Sequence, residues 1–172
     1  MAKQVMAEGR YTRLVKRDGW EYVERVNTSG IVLIVAVTPG GDLLLVEQHR
    51  PPLGARVIEL PAGLAGDLPG QRDEPLVEAA RRELVEETGY DAGSFEEVTA
   101  GPLSAGLTTE VVTVFVAREL RQVSEGGGDD SEDIVVHEIP LDGCEAWLEA
   151  RRRAGVMVDP KVYMALWFAR PR

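Results

Sequence analysis

The chain reads as an α/β protein, a mixed β-sheet held between helices, and three observations predict it. Ile31–Val37 (IVLIVAV) is an unbroken apolar run rich in Val and Ile, as expected of a strand covered on both faces. Glu74–Tyr90 (EPLVEAARRELVEETGY) carries its apolar residues at helical spacing between a proline suited to a first turn and a glycine suited to a helix exit. Two more helical patterns fall near the C-terminus, after the strands. At 172 residues the length fits one domain with a substantial core.

In chain order, Tyr11–Lys16 and Trp20–Val26 alternate around Arg17-Asp18-Gly19 and predict a strand pair added to a core domain. Trp20 and Tyr22 share a face, equally suited to packing within a hairpin and to binding. Ile31–Val37 is followed by a turn at Pro39-Gly40-Gly41-Asp42 and by a returning strand at Leu43–Val46. Residues 64–73 (LAGDLPGQRD) form a Gly/Pro-rich loop that either covers a site or bulges outward.

The Glu74–Tyr90 helix places Val77, Ala80, Leu84 and Thr88 on one face for packing, and Glu83, Glu86 and Glu87 on the neighbouring one. Three carboxylates that close repel one another, and a bound cation would reverse that penalty. All-oxygen ligands suit Mg²⁺ or Mn²⁺ better than zinc. Arg82, four residues before Glu86, is placed to hold that carboxylate; a solvated acidic face is the plainer alternative.

Phe95–Ala100 and Glu110–Ala117 read as strands, with Val111, Thr113, Phe115 and Ala117 in one phase. Ser124–Asp133 (SEGGGDDSED) has the composition of a loop, either a disordered acidic turn or a mobile lid. Ile134–Ile139 follows as a strand, with His137 structural. Asp142 is expected to cap a helix reaching Arg153 that packs through Trp147 and Leu148. Asp159-Pro160 is expected to start another, with Val162, Leu166 and Ala169 as its apolar stripe.

The net charge of −10 argues against non-specific nucleic-acid or anionic-membrane binding. It leaves an anionic small substrate open, because metal and local arginines can reverse the sign inside a site. No apolar run approaches the roughly 20 residues that span a bilayer, and the start lacks the apolar centre of a secretory signal. Cys144 is alone and cannot form an intrachain disulfide, which fits a reducing cytoplasm.

Glu74, seven residues, then Arg82-Glu83-Leu84-x-Glu86-Glu87-x-Gly89-Tyr90 resembles the Nudix box from its glutamate to its end. Leu68 stands where the box begins with glycine; Gly63, in Glu59-Leu60-Pro61-Ala62-Gly63, is the better candidate and implies a five-residue insertion before Glu74. The resemblance implies a Nudix α/β/α sandwich (residues 29–172) with an N-terminal β-strand extension (residues 1–28) that pairs with a second subunit in a homodimer. It extends to the subfamily that cleaves ADP-ribose and related nucleotide sugars.

On that resemblance Glu83, Glu86, Glu87 and the Ala62 carbonyl are the magnesium ligands, with Mn²⁺ as the other metal. Arg50 contacts substrate phosphates or ribose, Trp20 resembles a residue that stacks on the nucleobase, and Glu110 contacts substrate. Ser104–Glu110 resembles the subfamily's marker loop, with Ala105 where that loop has proline, so it lacks the stiffness of a fixed φ. The general base comes from the acidic loop, where the register selects Glu132, with Asp130 and Asp133 as alternatives. The activity implied is hydrolysis of the diphosphate bond of ADP-ribose to AMP and ribose 5-phosphate. GDP-mannose, a flavin dinucleotide or a diadenosine polyphosphate are the alternative substrates. A non-catalytic nucleotide-sugar sensor is the alternative from another class.

Overall fold

The computed structural model describes residues 2–128 and 133–170. Its centre is set by β4 (Gly30–Ala36). Leu33 and Val35 enter one apolar cluster, while Val32, Ile34 and Ala36 enter another on the opposite face. A strand buried on both faces needs cover on both, and this one has it. α1 (Leu76–Thr88) supplies Ala79, Ala80 and Leu84 on one side; α2 (Cys144–Arg153) and α3 (Pro160–Ala169) supply Leu148, Val162, Ala165 and Leu166 on the other. The layering is α/β/α, as expected.

The β layer is two four-stranded mixed sheets joined by a bridge between Val37 and Leu43. In the first, β7 (Ala62–Ala65) lies beside β4, then β9 (Val111–Gln122) and β8 (Tyr90–Pro102); only the β4–β9 pair is parallel. In the second the order is β10 (Ile134–Pro140), β5 (Asp42–Arg50), β6 (Ala55–Glu59) and β11 (Met157–Val158), with β6 and β11 parallel. The N-terminal region makes a third, antiparallel sheet of β1 (Gln4–Glu8), β2 (Thr12–Arg17) and β3 (Trp20–Arg25). The expected strand pair therefore has a third member. Its second turn holds Asp18 and Gly19 at positive φ, the two-residue geometry whose twist matches the flanking strands.

Several local expectations change. Val77 is exposed, and Leu76 and Ala79 flank Ala80 and Leu84 on the packed face instead. Leu76 lies so close to Gly30 that a Cβ there would stand 2.7 Å from Leu Cδ2, so a bare backbone lets α1 seat on β4. β9 is buried on both faces rather than one, with Val112, Val114 and Val116 in the cluster that α2 and α3 cover and Phe115 and Ala117 in the cluster that α1 covers. Asp142 does not cap α2; Gly143 stands at the N-cap with φ 111 and makes no side-chain bond. Asp159 does cap α3, accepting the Lys161 N–H at 2.8 Å with Pro160 in the first turn.

Candidate active site

The acidic helix is held by one arginine. Arg82 donates from Nε to Glu74 at 3.1 Å and from Nη1 to Glu83 at 2.8 Å and Glu86 at 3.2 Å; its Nη2 reaches the Leu64 carbonyl at 2.9 Å. The expected Arg82–Glu86 contact is present, and it is one strand of a wider web. Glu74 also accepts the Gly66 N–H at 3.0 Å, and the Arg82 guanidinium holds its carboxyl below the usual range. Glu74 thereby ties the end of β7 to α1.

Glu83 and Glu87 face the β7 backbone. A Cβ on Gly63 would fall 1.9 Å from the Glu83 carboxyl carbon, so any other residue would displace that carboxyl from its place over β7. This supports Gly63 as the glycine of the acidic motif. Glu87 is buried and accepts the Ala62 N–H at 2.9 Å. Burial pushes the Glu83 carboxyl up to about 7; Arg82 pulls it down, while Glu86 and Asp67 add to the rise.

Among the described residues no three His, Cys, Asp or Glu side chains already converge on one point. The carboxylates instead spend their oxygens on Arg82 and the Ala62 N–H. The donor set nevertheless fits a hard divalent cation: it is all oxygen, one Arg82 nitrogen touches both Glu83 and Glu86, and burial of Glu83 outweighs the Arg82 contact, a cost that a bound cation would offset.

An open cleft of about 370 Å³ lies beside this web, lined by Arg50, Ala62, Gly63, Glu83, Glu110 and Lys161 among others. Ala62, Glu83, Arg50 and Glu110 are thus brought together, while Glu86 and Glu87 lie outside the cleft lining. Arg50 donates from Nε to Glu59 at 2.6 Å, and Glu110 is paired with Arg25, Nη2 to Oε1 at 2.8 Å. Trp20 is not in this cleft. It stands 64 % exposed in a separate groove with Arg17, Tyr22, Ala105, Gly106 and Thr108. The two are joined through β3, where Val23 bridges Thr108 two residues from Glu110 and Arg25.

Arg25, Glu59, Asp67 and Lys161 also line the cleft, and reading the sequence missed them. Arg25 was visible as the polar end of a predicted strand. Lys161 follows a recognisable helix start, yet only the β6–β11 pairing brings it to the site. The loop expected over 64–73 starts later, because Leu64 and Ala65 belong to β7; beyond it Asp67 reaches the cleft rim and sits 3.7 Å from Arg82, while residues 68–73 are exposed.

The acidic loop is anchored to the helix that carries the glutamates. Gly127 N and Gly128 N donate to the carbonyls of Glu87 and Glu86 at 2.9 and 3.0 Å, and Val123 N donates to Gly89 O at 2.8 Å. At the other limb Asp133 accepts from Arg56 Nη1 at 2.6 Å. Glu132 and Asp130 lie outside the described residues. Arg56 also binds the buried Glu47, which accepts from Arg151 at 2.8 Å and lies 3.0 Å from His137; His137 packs edge-on against Trp147. His137 is structural, as expected.

A helix bearing a glutamate web, set against Gly63 beside a cleft of mixed charge in an α/β/α sandwich, points to a diphosphate hydrolase of the Nudix type. The chain belongs to the Nudix family: the NUDIX domain profile matches residues 28–155. It is 36% identical over 129 residues to an ADP-ribose pyrophosphatase of Bacillus subtilis, covering 74% of this chain and 67% of that one. It is 41% identical over 112 residues to a GDP-mannose pyrophosphatase of Salmonella arizonae, covering 64% of this chain and 53% of that one. A crystal structure of an ADP compounds hydrolase superposes with a TM-score of 0.71 at 22% identity, covering 97% of this chain and 89% of that one, and shows the same fold.

Proposed function

We propose that this Nudix pyrophosphohydrolase cleaves the diphosphate bond of a nucleoside diphosphate linked to a sugar, with ADP-ribose as the substrate and AMP and ribose 5-phosphate as products. The observation that carries the reading is the Arg82-centred web, which sets Glu83 against Gly63 at the floor of a cleft that also holds Arg50. Likeness to the ADP-ribose pyrophosphatase supports the substrate. Likeness to the GDP-mannose pyrophosphatase favours GDP-mannose as the second reading.

Glu83, Glu86, Glu87 and the Ala62 carbonyl would hold Mg²⁺ or Mn²⁺; when bound, such a cation neutralises the diphosphate and makes phosphorus more electrophilic. Arg50 grips phosphate oxygens through its planar fork, and Glu110 orients the substrate from the opposite wall. Glu132 takes the proton of the attacking water as the new P–O bond forms and the bridging P–O bond breaks. On either side of Glu132 in the chain, Gly127 and Gly128 bond the Glu87 and Glu86 carbonyls and Asp133 pairs with Arg56.

Trp20 stacks on the nucleobase. The N-terminal extension, residues 1–28, pairs with a second copy. Val5, Met6, Tyr11 and Leu14 are exposed on it, an apolar surface that suits a homodimer. No helix among the described residues is long and apolar enough to cross a membrane. A reducing cytoplasm is the compartment proposed.

The test is a metal-dependent product screen across nucleotide sugars and dinucleotides in ¹⁸O-water. AMP and ribose 5-phosphate from ADP-ribose, abolished by Glu86→Gln with the fold intact, is the expected result. Preferred release of GMP and mannose 1-phosphate from GDP-mannose would replace the substrate. No hydrolysis across the panel would overturn the reading.

A further inference from the structure

Three cations line the cleft, and each rests on a carboxylate: Arg25 on Glu110, Arg50 on Glu59 and Lys161 on Asp159. Their placement divides them between two walls. β11 pairs in parallel with β6, Val158 opposite Ile58, and Asp159 N donates to Ile58 O at 2.9 Å. The chain therefore turns into α3 beside Glu59, the partner of Arg50, and puts Lys161 and Arg50 on one wall. Arg25 and Glu110 form the other wall, which continues through Val23 and Thr108 to the groove of Trp20 and Tyr22.

We propose that Lys161 is a specificity-determining cation that binds the phosphate on the non-nucleoside half of the substrate. The inference rests on the diphosphate hydrolysis proposed above. A flat base fits the aromatic groove, which sends the other half of the substrate toward Arg50 and Lys161.

The local chemistry suits the role. Asp159 already takes the Lys161 N–H as the helix cap, so what α3 offers the cleft is the side chain. An ammonium has three donors, and the partly exposed Asp159 contact engages one, leaving two for phosphate oxygens. Partly exposed ion pairs are weak, so a phosphate, singly charged in the substrate diphosphate and doubly charged in the released sugar phosphate, can draw the ammonium away from Asp159. Glu59 takes only the Nε of Arg50 among the described residues, leaving its terminal nitrogens for the same phosphate. A Lys161 that merely stabilises the α3 cap would affect none of this.

The experiment compares wild type with Lys161→Met and Lys161→Arg, using ribose 5-phosphate and AMP as probes in product inhibition and in calorimetric titration. Loss of a charged hydrogen bond predicts a rise of about tenfold or more in KM and in the ribose 5-phosphate inhibition constant for Lys161→Met. The AMP constant, kcat and melting temperature stay near wild type, and Lys161→Arg recovers most of the loss. An active Lys161→Met with unchanged ribose 5-phosphate inhibition would overturn the proposal, as would an equal loss for AMP. If wild type hydrolysed nothing, the functional reading would fall. The titration would still decide Lys161: weaker ribose 5-phosphate binding in Lys161→Met supports the site, and equal binding removes it.

Discussion

Replacing Arg82 by Met tests the claim that one guanidinium holds the acidic helix together. The side chain is 19% exposed and its main partner Glu74 only 6%, so the change strands a buried carboxylate that cannot recover its hydration. Removing one partner of a buried ion pair costs about 3–5 kcal/mol. The Leu64 carbonyl also loses its donor. The assay is chemical denaturation of wild type, Arg82→Met, Glu74→Gln and the double variant in chelator. The double variant should be less destabilised than the two single losses combined, by roughly 2 kcal/mol, since position 74 then strands no charge, while Glu83 loses Arg82 in the single and the double variant alike. The pH dependence follows from the depressed Glu74 carboxyl. A carboxyl lowered on folding contributes stability above its unfolded value of about 4.3, and that contribution is lost as pH falls through the lower folded value. The gap between wild type and Arg82→Met should therefore narrow below about pH 4. A single-variant loss under about 1 kcal/mol, as exposed pairs give, would refute the reasoning.

Gly63→Ala puts a Cβ into the Glu83 carboxyl, so turnover should fall at least about a hundredfold while stability falls by only about 1–3 kcal/mol, the range for overpacking. Steady-state kinetics beside a melting curve checks the split, and wild-type kcat would remove Glu83 from the chemistry. Glu47→Ala removes the carboxylate shared by Arg151 and His137, and one of the two that hold Arg56, at a 7% exposed position and should cost about 3 kcal/mol. Burial would raise the Glu47 carboxyl, but the bonds from His137, Arg151 and Arg56 outweigh it and hold it low. Its contribution is accordingly present above about pH 4.3 and fades in acid; denaturation at pH 7 and pH 3 should show the gap close.

Patterns local to the chain were legible in the sequence, and pairings across it were not. Spacing put Glu83, Glu86 and Glu87 on one helical face and Arg82 within reach, because three and four residues return to the same side of a helix. It put Val77 on the packed stripe, where Leu76 fits as well within a turn, and the structure packs Leu76 because that is the one meeting Gly30 on β4. Asp142 and Asp159 carry the same cap signal, yet only Asp159 caps, since a positive-φ glycine intervenes after Asp142. Gly63 could be argued from register, but its necessity is visible only when the Glu83 carboxyl lies over it. Arg25 and Lys161 were hidden for the same reason. Nothing adjacent in sequence announces that a β3 end and an α3 start share a cleft with β7.

The paired cations also dictate an order of binding. Arg25, Arg50 and Lys161 each meet a carboxylate, while Glu83 and the rim residue Asp67 add acid to the same cleft. Before any metal enters, a diphosphate gains little net attraction there, in a chain of net charge −10. A divalent ion on the glutamate web changes the sign of the cleft floor. Unit charges 4 Å apart interact by about 4 kcal/mol at an effective dielectric of 20, so half of that after screening is still about 30-fold in affinity. A non-hydrolysable nucleoside diphosphate sugar should bind at least that much more tightly with Mg²⁺ than in chelator. Glu86→Gln should shrink the difference, and Lys161→Met should weaken both states alike. Calorimetric titration measures all of it. Equal affinity with and without metal would mean that the cations alone capture the substrate, and the ion pairs seen here would then have to open without the ion's help.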